Sequence, residues 1–235
     1  MSIKLVVMAL AMIIQKKFKV KIIIYMATFL RPLSYKYEWL YNSISRLAAI
    51  PVGGEKRFRE LALQNLSINK QTKILDLCCG KGQTTKFLVD YSQQVTGLDI
   101  SPNALAKARE NVPQAEFVEG LAQNLPFPDN SFDIVHTSVA LHEMTTSELT
   151  QIFQEVYRVL IPSGIFTFID LHKPENLLFL PGINIFMWLF ETETAWQLLK
   201  TDLPKKLTEA NFTILNQKLY AGGSLQVIQA IKSSY

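Results

Sequence analysis

From residue 73 onward, short apolar runs alternate with longer stretches in which apolar side chains recur every three or four positions. These are the periods of a strand and of an amphipathic helix. The runs predict strands over residues 73–77, 94–99, 116–119, 132–137, 164–171, 212–218 and 225–231. Helices are predicted between them over 84–91, 102–111, 147–160 and 200–210. Alternation of this kind implies an α/β fold built on a doubly wound, mostly parallel seven-stranded sheet. The last two strands flank Ala221-Gly222-Gly223 and read as an antiparallel C-terminal hairpin at one edge.

Before residue 73 the texture differs. An apolar run from Leu5 to Ile14 is followed by a lysine-rich segment and a second run from Ile22 to Leu30. Neither run approaches the ~18–20 residues that span a bilayer, and most of the charge follows the first run, where a secretory signal would place it ahead. Two readings stay open for residues 1–25: a basic amphipathic element at a membrane surface, or a leader ahead of a start at Met26. Beyond Arg31-Pro32 an aromatic helix is predicted over 35–47, where Tyr35, Tyr37, Trp39 and Tyr41 could form a lid. After the break at Gly53-Gly54, Phe58, Leu61, Leu63 and Leu66 fall at helical spacing. The expected organisation is a leader (1–25), a helical N-terminal cap (26–70) and a core (71–235) carrying an apolar insertion at 175–199. Within that insertion residues 177–190 hold no charge. It reads either as an apolar substrate wall or membrane-surface contact, or as a core-packing helix.

Composition narrows the function. With 49% hydrophobic and 19% charged residues the chain is a folded one. Five lysines and no acid lie in the first 25 residues, so the net +4 leaves 19 cations against 20 acids elsewhere. That balance offers no nucleic-acid footprint. The only cysteines, Cys78 and Cys79, are adjacent, which excludes a disulfide framework and points to a reducing, cytoplasmic compartment. His136, His142 and His172 lack paired metal-ligand spacing, so no metal site is expected.

In a doubly wound sheet, ligands bind beyond the carboxyl ends of the strands. The first strand runs through Asp76 into Cys78-Cys79-Gly80-Lys81-Gly82 and a helix, a junction that lets a ligand approach the backbone. Thr85 stands where a dinucleotide fingerprint would place its third glycine, and Lys81 lacks the following Ser or Thr of a phosphate loop. A carboxylate at Asp76 is unwelcome beside a pyrophosphate but suits a ligand bearing an ammonium and a sulfonium, as S-adenosylmethionine does. Asp99, closing the second strand, can accept both hydrogens of a ribose diol, while Ser101 before Pro102 reads as a helix cap.

These residues resemble class I S-adenosylmethionine-dependent methyltransferases. The resemblance runs through Leu75-Asp76-Leu77-Cys78-Cys79-Gly80-Lys81-Gly82, Gly97-Leu98-Asp99-Ile100-Ser101, the block from Gly120 to Phe127, Ser131-Phe132-Asp133-Ile134-Val135 and the block from Glu155 to Gly164. Asp76-Leu77-Cys78-Cys79-Gly80, Asp170-Leu171-His172-Lys173-Pro174 and Gly222-Gly223 look like the ubiquinone/menaquinone-biosynthesis C-methyltransferases. The resemblance implies a Rossmann-like fold and cofactor contacts from Asp76, Cys78, Gly80, Gly82, Asp99, Ile100, Leu121, Ala122 and Ser138. Leu121 and Gln83 stand where the family often carries acids, and Asn42 where a Tyr-Asp pair would end in Asp.

Methyl transfer asks mainly for alignment and exclusion of water, with a general base only where the acceptor loses a proton. His142, Asp170 and His172 fall at the functional rim and are the candidate bases, each also readable as a bonded loop residue. His136 reads as structural, and the cysteines as packing groups. The expected partner is a small apolar molecule, a quinol or phenol, with a membrane surface as a further contact. The rival readings are an NAD-dependent Rossmann enzyme and a non-catalytic methyltransferase-like binding module.

Overall fold

The computed structural model describes residues 49–233 together with Ser43 and Arg46. The leader and the aromatic helix expected over 35–47 therefore fall outside the described residues, apart from Ser43 and Arg46. The sheet is built from β1 (Lys73–Leu77), β2 (Gln94–Asp99), β3 (Glu116–Glu119), β4 (Phe132–Ser138), β5 (Leu160–Leu171), β6 (Phe212–Tyr220) and β7 (Leu225–Lys232). Their order is β3-β2-β1-β4-β5-β7-β6. β1 to β5 pair in parallel, and β7 pairs antiparallel with both β5 and β6. The C-terminal hairpin thus places its second strand inside the sheet and its first at the edge.

Chemistry follows this order. β1, β4 and the second half of β5 are covered on both faces and nearly every residue is buried, the mark of interior parallel strands. Edge strand β6 alternates between covered and exposed positions from Phe212 to Gln217, as a one-sided strand should. β5 begins four residues earlier than its pattern suggests. A register irregularity lets Phe132 pair with Leu160, and Ser163 takes a left-handed backbone at φ 64° that carries the strand through Pro162.

The described helices are α1 (Glu55–Glu60), α2 (Thr85–Tyr91), α3 (Pro102–Asn111), α4 (Thr146–Val159), α5 (Leu180–Phe190), α6 (Glu193–Leu198) and α7 (Leu203–Glu209). α4 buries Leu149, Ile152, Phe153, Val156 and Val159, one stripe at helical spacing, and starts with a capping box between Thr145 and Glu148. α7 starts later than residue 200 because the Asp202 side chain accepts from Lys205 N and Pro204 sits in the first turn. The expected helix over 56–66 is cut short. After α1 a 3₁₀ turn, Leu61–Leu63, leads to Asn65 at φ 64°. The Thr167 hydroxyl donates to Ala62 O, and the Gln229 amide donates to Ala62 O and Gln64 O, so this turn is tied to β5 and β7. α1 is thereby held beside the carboxyl ends of β1 and β4. α6 carried no signal in the sequence pattern.

Strand order reverses between β1 and β4, and a crevice opens there beyond the strand ends. Gly97 in β2 is required by packing: a Cβ would lie 2.7 Å from the Phe117 ring and 2.9 Å from Cys79 Sγ. Among the described residues no helix is long and apolar enough to cross a membrane.

Candidate functional site

The crevice is a cleft of about 590 Å³, within the range of small-molecule and cofactor sites. Its floor is the turn after β1, where Cys78 (φ 58°), Gly80 (φ 56°) and Gly82 (φ 78°) all take left-handed backbone. Asp99 braces this turn, Oδ2 accepting from Gly80 N at 2.8 Å and Oδ1 from Ser101 N at 2.9 Å. Ser101 in turn accepts from Ala104 N and caps α3. The carboxylate is therefore oriented by two backbone donors and remains part of the cleft wall.

Asp76, Cys78, Gly80, Asp99, Ile100, Leu121, Ala122 and Ser138 all line the cleft. Gly82 does not. It is buried beneath the turn, where a Cβ would stand 3.2 Å from Val112 and 3.6 Å from Ala108, so its absent side chain serves the seating of the loop on α3. Asp76 lies at the bottom and is almost fully buried. Its Oδ2 accepts from the Thr85 hydroxyl at 2.6 Å, and its Oδ1 lies 3.2 Å from His136 Nδ1, the residue paired with it across β1 and β4.

Above the carboxylate, Ile100 and Leu121 stand 63% and 48% exposed, two apolar side chains at the rim of a polar turn. The loop bearing Leu121 is held from below by the motif in α4. Glu155 accepts from Leu125 N, while Arg158 binds Glu155, Asp129 and the carbonyls of Leu125 and Phe127. A carboxylate able to accept from a diol, an open glycine turn and two apolar side chains at the rim suit a ligand joining a ribose, a flat base and a charged aliphatic arm. The donor set fits S-adenosylmethionine.

The three candidate bases are not presented to the cleft. Asp170 is fully buried at the end of β5, accepting from Leu141 N at 2.7 Å, Leu171 N at 2.7 Å and His142 Nδ1 at 2.8 Å. His142 is buried on a 3₁₀ turn (Leu141–Glu143), with Nε2 3.5 Å from Glu191. Burial opposes its charge, yet Asp170, then Glu191 and Glu143, outweigh it and raise the imidazole from 6.5 to about 9. A cation at neutral pH cannot take a proton. His172 binds the β6–β7 turn instead, Nδ1 meeting Gly223 O at 2.8 Å and its amide donating to Ser224 O. Cys78 also stays neutral. Burial, then Asp99 and Asp76, push its thiol up to about 12, and Cys79 is raised by burial first as well.

Because the folded pKa of His142 exceeds its unfolded value, its contribution to stability is complete below about pH 6.5 and is lost as pH rises through about 9. Urea unfolding between these limits should show a loss on the order of 3 kcal/mol. The thiols add a slope of the same sign, so the test is the comparison with His142→Gln. An equal slope in that variant would refute the assignment.

Several residues at the site carried no linear signal. Arg59 of α1 is buried at the cleft wall, Nη1 donating to Ser138 Oγ at 3.1 Å and Thr84 Oγ1 at 3.5 Å. Val139, next to Ser138, lies at φ 55°, a costly conformation for a β-branched residue, with its amide donating to Ile169 O. Glu191 was read only as part of the insertion.

That insertion does not line the cleft. α5 packs one side on the core, with Met187 fully buried and Ile183 and Phe186 packed against the core, and leaves Ile185 57% exposed on the other. Its entry is clamped by the glycines of the β6–β7 turn: Glu175 and Asn176 donate to Gly222 O, and a Cβ on Gly223 would lie 2.6 Å from Glu175 N.

Comparison with known proteins places these features in context. Residues 74–164 match a methyltransferase domain. An uncharacterized methyltransferase of Synechocystis sp. is 58% identical over 205 residues, spanning 87% of this chain and 97% of that protein. A demethylmenaquinone methyltransferase of Listeria welshimeri is 36% identical over 126 residues, 50% of this chain and 52% of that one. A crystal structure of an S-adenosylmethionine-dependent methyltransferase from Aquifex aeolicus shares the fold, with TM-score 0.57 and 20% identity over 74% of this chain and 89% of that one.

Proposed function

Because this chain belongs to the S-adenosylmethionine-dependent methyltransferases, we propose that it methylates a small lipophilic acceptor of the quinol or phenol type, held between the cleft and α5. The observation that carries the acceptor class is α5 with its entry turn: residues 177–190 hold no charge, Leu178 and Ile185 are 84% and 57% exposed, and the segment is tied to the turn after β4 through Glu191 and His142. The similarity to a demethylmenaquinone methyltransferase supports the same reading.

When bound, the cofactor supplies an electrophilic methyl on a sulfonium that leaves as a neutral thioether. The chain's part is to bind and orient. Asp99 accepts from the ribose diol, Ile100 and Leu121 flank the base, the backbone of Leu121 and Ala122 reads its edge, and the turn from Cys78 to Gly80 admits close approach. Asp76, held by Thr85 and His136, sets the turn from beneath, and Ser138 with Val139 forms the opposing wall. His142 and Asp170 position the insertion through Glu191, and His172 fastens its entry. None of the three serves as general base, so the acceptor proton passes to solvent or to the cleft carboxylates. The insertion at 175–199 borders the acceptor side, where α5 would let a lipid-dissolved substrate enter from a membrane surface.

The test is transfer of labelled methyl from S-adenosylmethionine by the full chain to reduced naphthoquinols and benzoquinols of graded tail length. Turnover should rise with acceptor apolarity and vanish for the oxidised quinones, whose rings lack the electron density to attack. Efficient methylation of polar catechols, with none of the quinols, would overturn the acceptor class.

A further inference from the structure

Methyl transfer removes a positive charge from the cofactor. S-adenosylmethionine carries a sulfonium, an ammonium and a carboxylate, and is a net cation. S-adenosylhomocysteine keeps only the last two and has no net charge. Every group that seats the nucleoside is common to both, so a site can tell them apart only by that charge and by the methyl itself.

The cleft wall has a sign. Among its described lining residues the acids are Asp76, Asp99, Glu143 and Glu148, and the cations are Arg59 and Lys81. Behind Glu143 the excess continues, because the imidazolium of His142 interacts with Asp170, Glu191 and Glu143 together. One cation cannot offset three carboxylates, and negative charge is left over where the turn after β4 meets the α5–α6 link. Cys78, on the cleft floor, feels the same field. After burial, its thiol is raised by Asp99, Asp76, Glu143 and Asp170, so carboxylates from the β2 side and from the β4–β5 side reach one point of the floor. The nucleoside site itself is fixed by Asp99 and its two backbone donors. A sulfonium is separated from the ribose ring by a single carbon and falls inside this field.

We propose that the charge of the wall makes the site selective for the charged cofactor over its spent product, with Glu143 setting that selectivity on the acceptor side. Glu143 is exposed at the rim and belongs to the turn that His142 ties to Glu191, so its carboxylate acts on the sulfonium through the field and not as a seat for the nucleoside. Loss of the charge on transfer then favours departure of the product. The inference rests on the cofactor and is independent of the acceptor, so a failed quinol assay leaves it standing.

Calorimetric titration of the full chain compares S-adenosylmethionine, S-adenosylhomocysteine and sinefungin, in which a carbon bearing an ammonium replaces the methylsulfonium. At about 20 mM salt the two charged ligands should bind about tenfold more tightly than S-adenosylhomocysteine. At about 0.5 M salt the gap should narrow by about twofold or more, because the rim carboxylates are screened. Glu143→Gln should weaken the charged ligands about two- to fivefold and leave S-adenosylhomocysteine unchanged. The salt series uses the unaltered protein and carries the test if the variant does not fold. Product binding as tight as cofactor binding overturns the proposal, as does a gap that salt does not move. Equal weakening of all three ligands in Glu143→Gln also overturns it, because Glu143 then holds the shape of the turn and does not read charge. If the unaltered protein binds none of the three, the cofactor premise falls and the proposal with it.

Discussion

Asp99→Ala should weaken binding of S-adenosylmethionine and S-adenosylhomocysteine by about a hundredfold or more, with methyl transfer falling in step. Two losses add. The ribose diol forfeits a charged acceptor, worth about 1.5–3 kcal/mol for such a bond. The turn loses its brace as well: Gly80 N and Ser101 N, at 2.8 and 2.9 Å from the carboxylate, are left without that acceptor. Each stranded donor costs about 1–3 kcal/mol where water cannot replace the bond. Asp99→Asn keeps one oxygen, so it should bind with intermediate affinity. Calorimetry on variants with cooperative thermal transitions separates binding from folding. Undiminished affinity in Asp99→Ala would make this residue a brace alone and move the ribose contact elsewhere.

Asp170→Ala should lower stability by about 3–5 kcal/mol, the cost of removing one partner from a buried ion pair. Asp170 is fully buried and accepts from His142 Nδ1 and from two backbone amides, and His142 bridges onward to Glu191 at the start of the α5–α6 link. Losing it strands a buried imidazolium and two N–H groups. For a chain of this length the thermal midpoint should fall by on the order of 10 °C. The double variant Asp170→Ala with His142→Leu should be less unstable than the sum of the two single changes, because the stranded cation leaves with the second substitution. Strict additivity in urea titration would mean that the pair carries no coupling.

Both predictions concern residues visible in the sequence, but in different ways. The turn after β1, Asp99 and the start of α3 were legible because their causes are local. Glycines permit left-handed backbone, Ser101 caps the helix that Pro102 begins, and the carboxylate reaches neighbours set by one strand's length. Strand boundaries of β1, β2 and β3 follow for the same reason, since alternation between apolar runs and helical stripes is written residue by residue.

The roles of the histidines were not legible. His142 and His172 lie at strand ends, where a base belongs, and nothing in their neighbours along the chain distinguishes a solvent-facing ring from one enclosed by Asp170 and Glu191 or turned to Gly223. Asp76 lines the cleft, but nothing along the chain shows that the register of β1 against β4 also sets His136 beside it.

By itself, then, the sequence determined the order of elements, the cofactor turn and the family, because backbone propensity, capping and hydrophobic period act between residues close in the chain. Only the tertiary structure decided which charges are enclosed, why Gly82 packs and does not touch the cleft, and how Arg59 reaches it from 25 residues before Thr84. Those outcomes depend on strand register and on the docking of separate segments, which bring together groups whose interaction falls off with distance in space and not with separation along the chain.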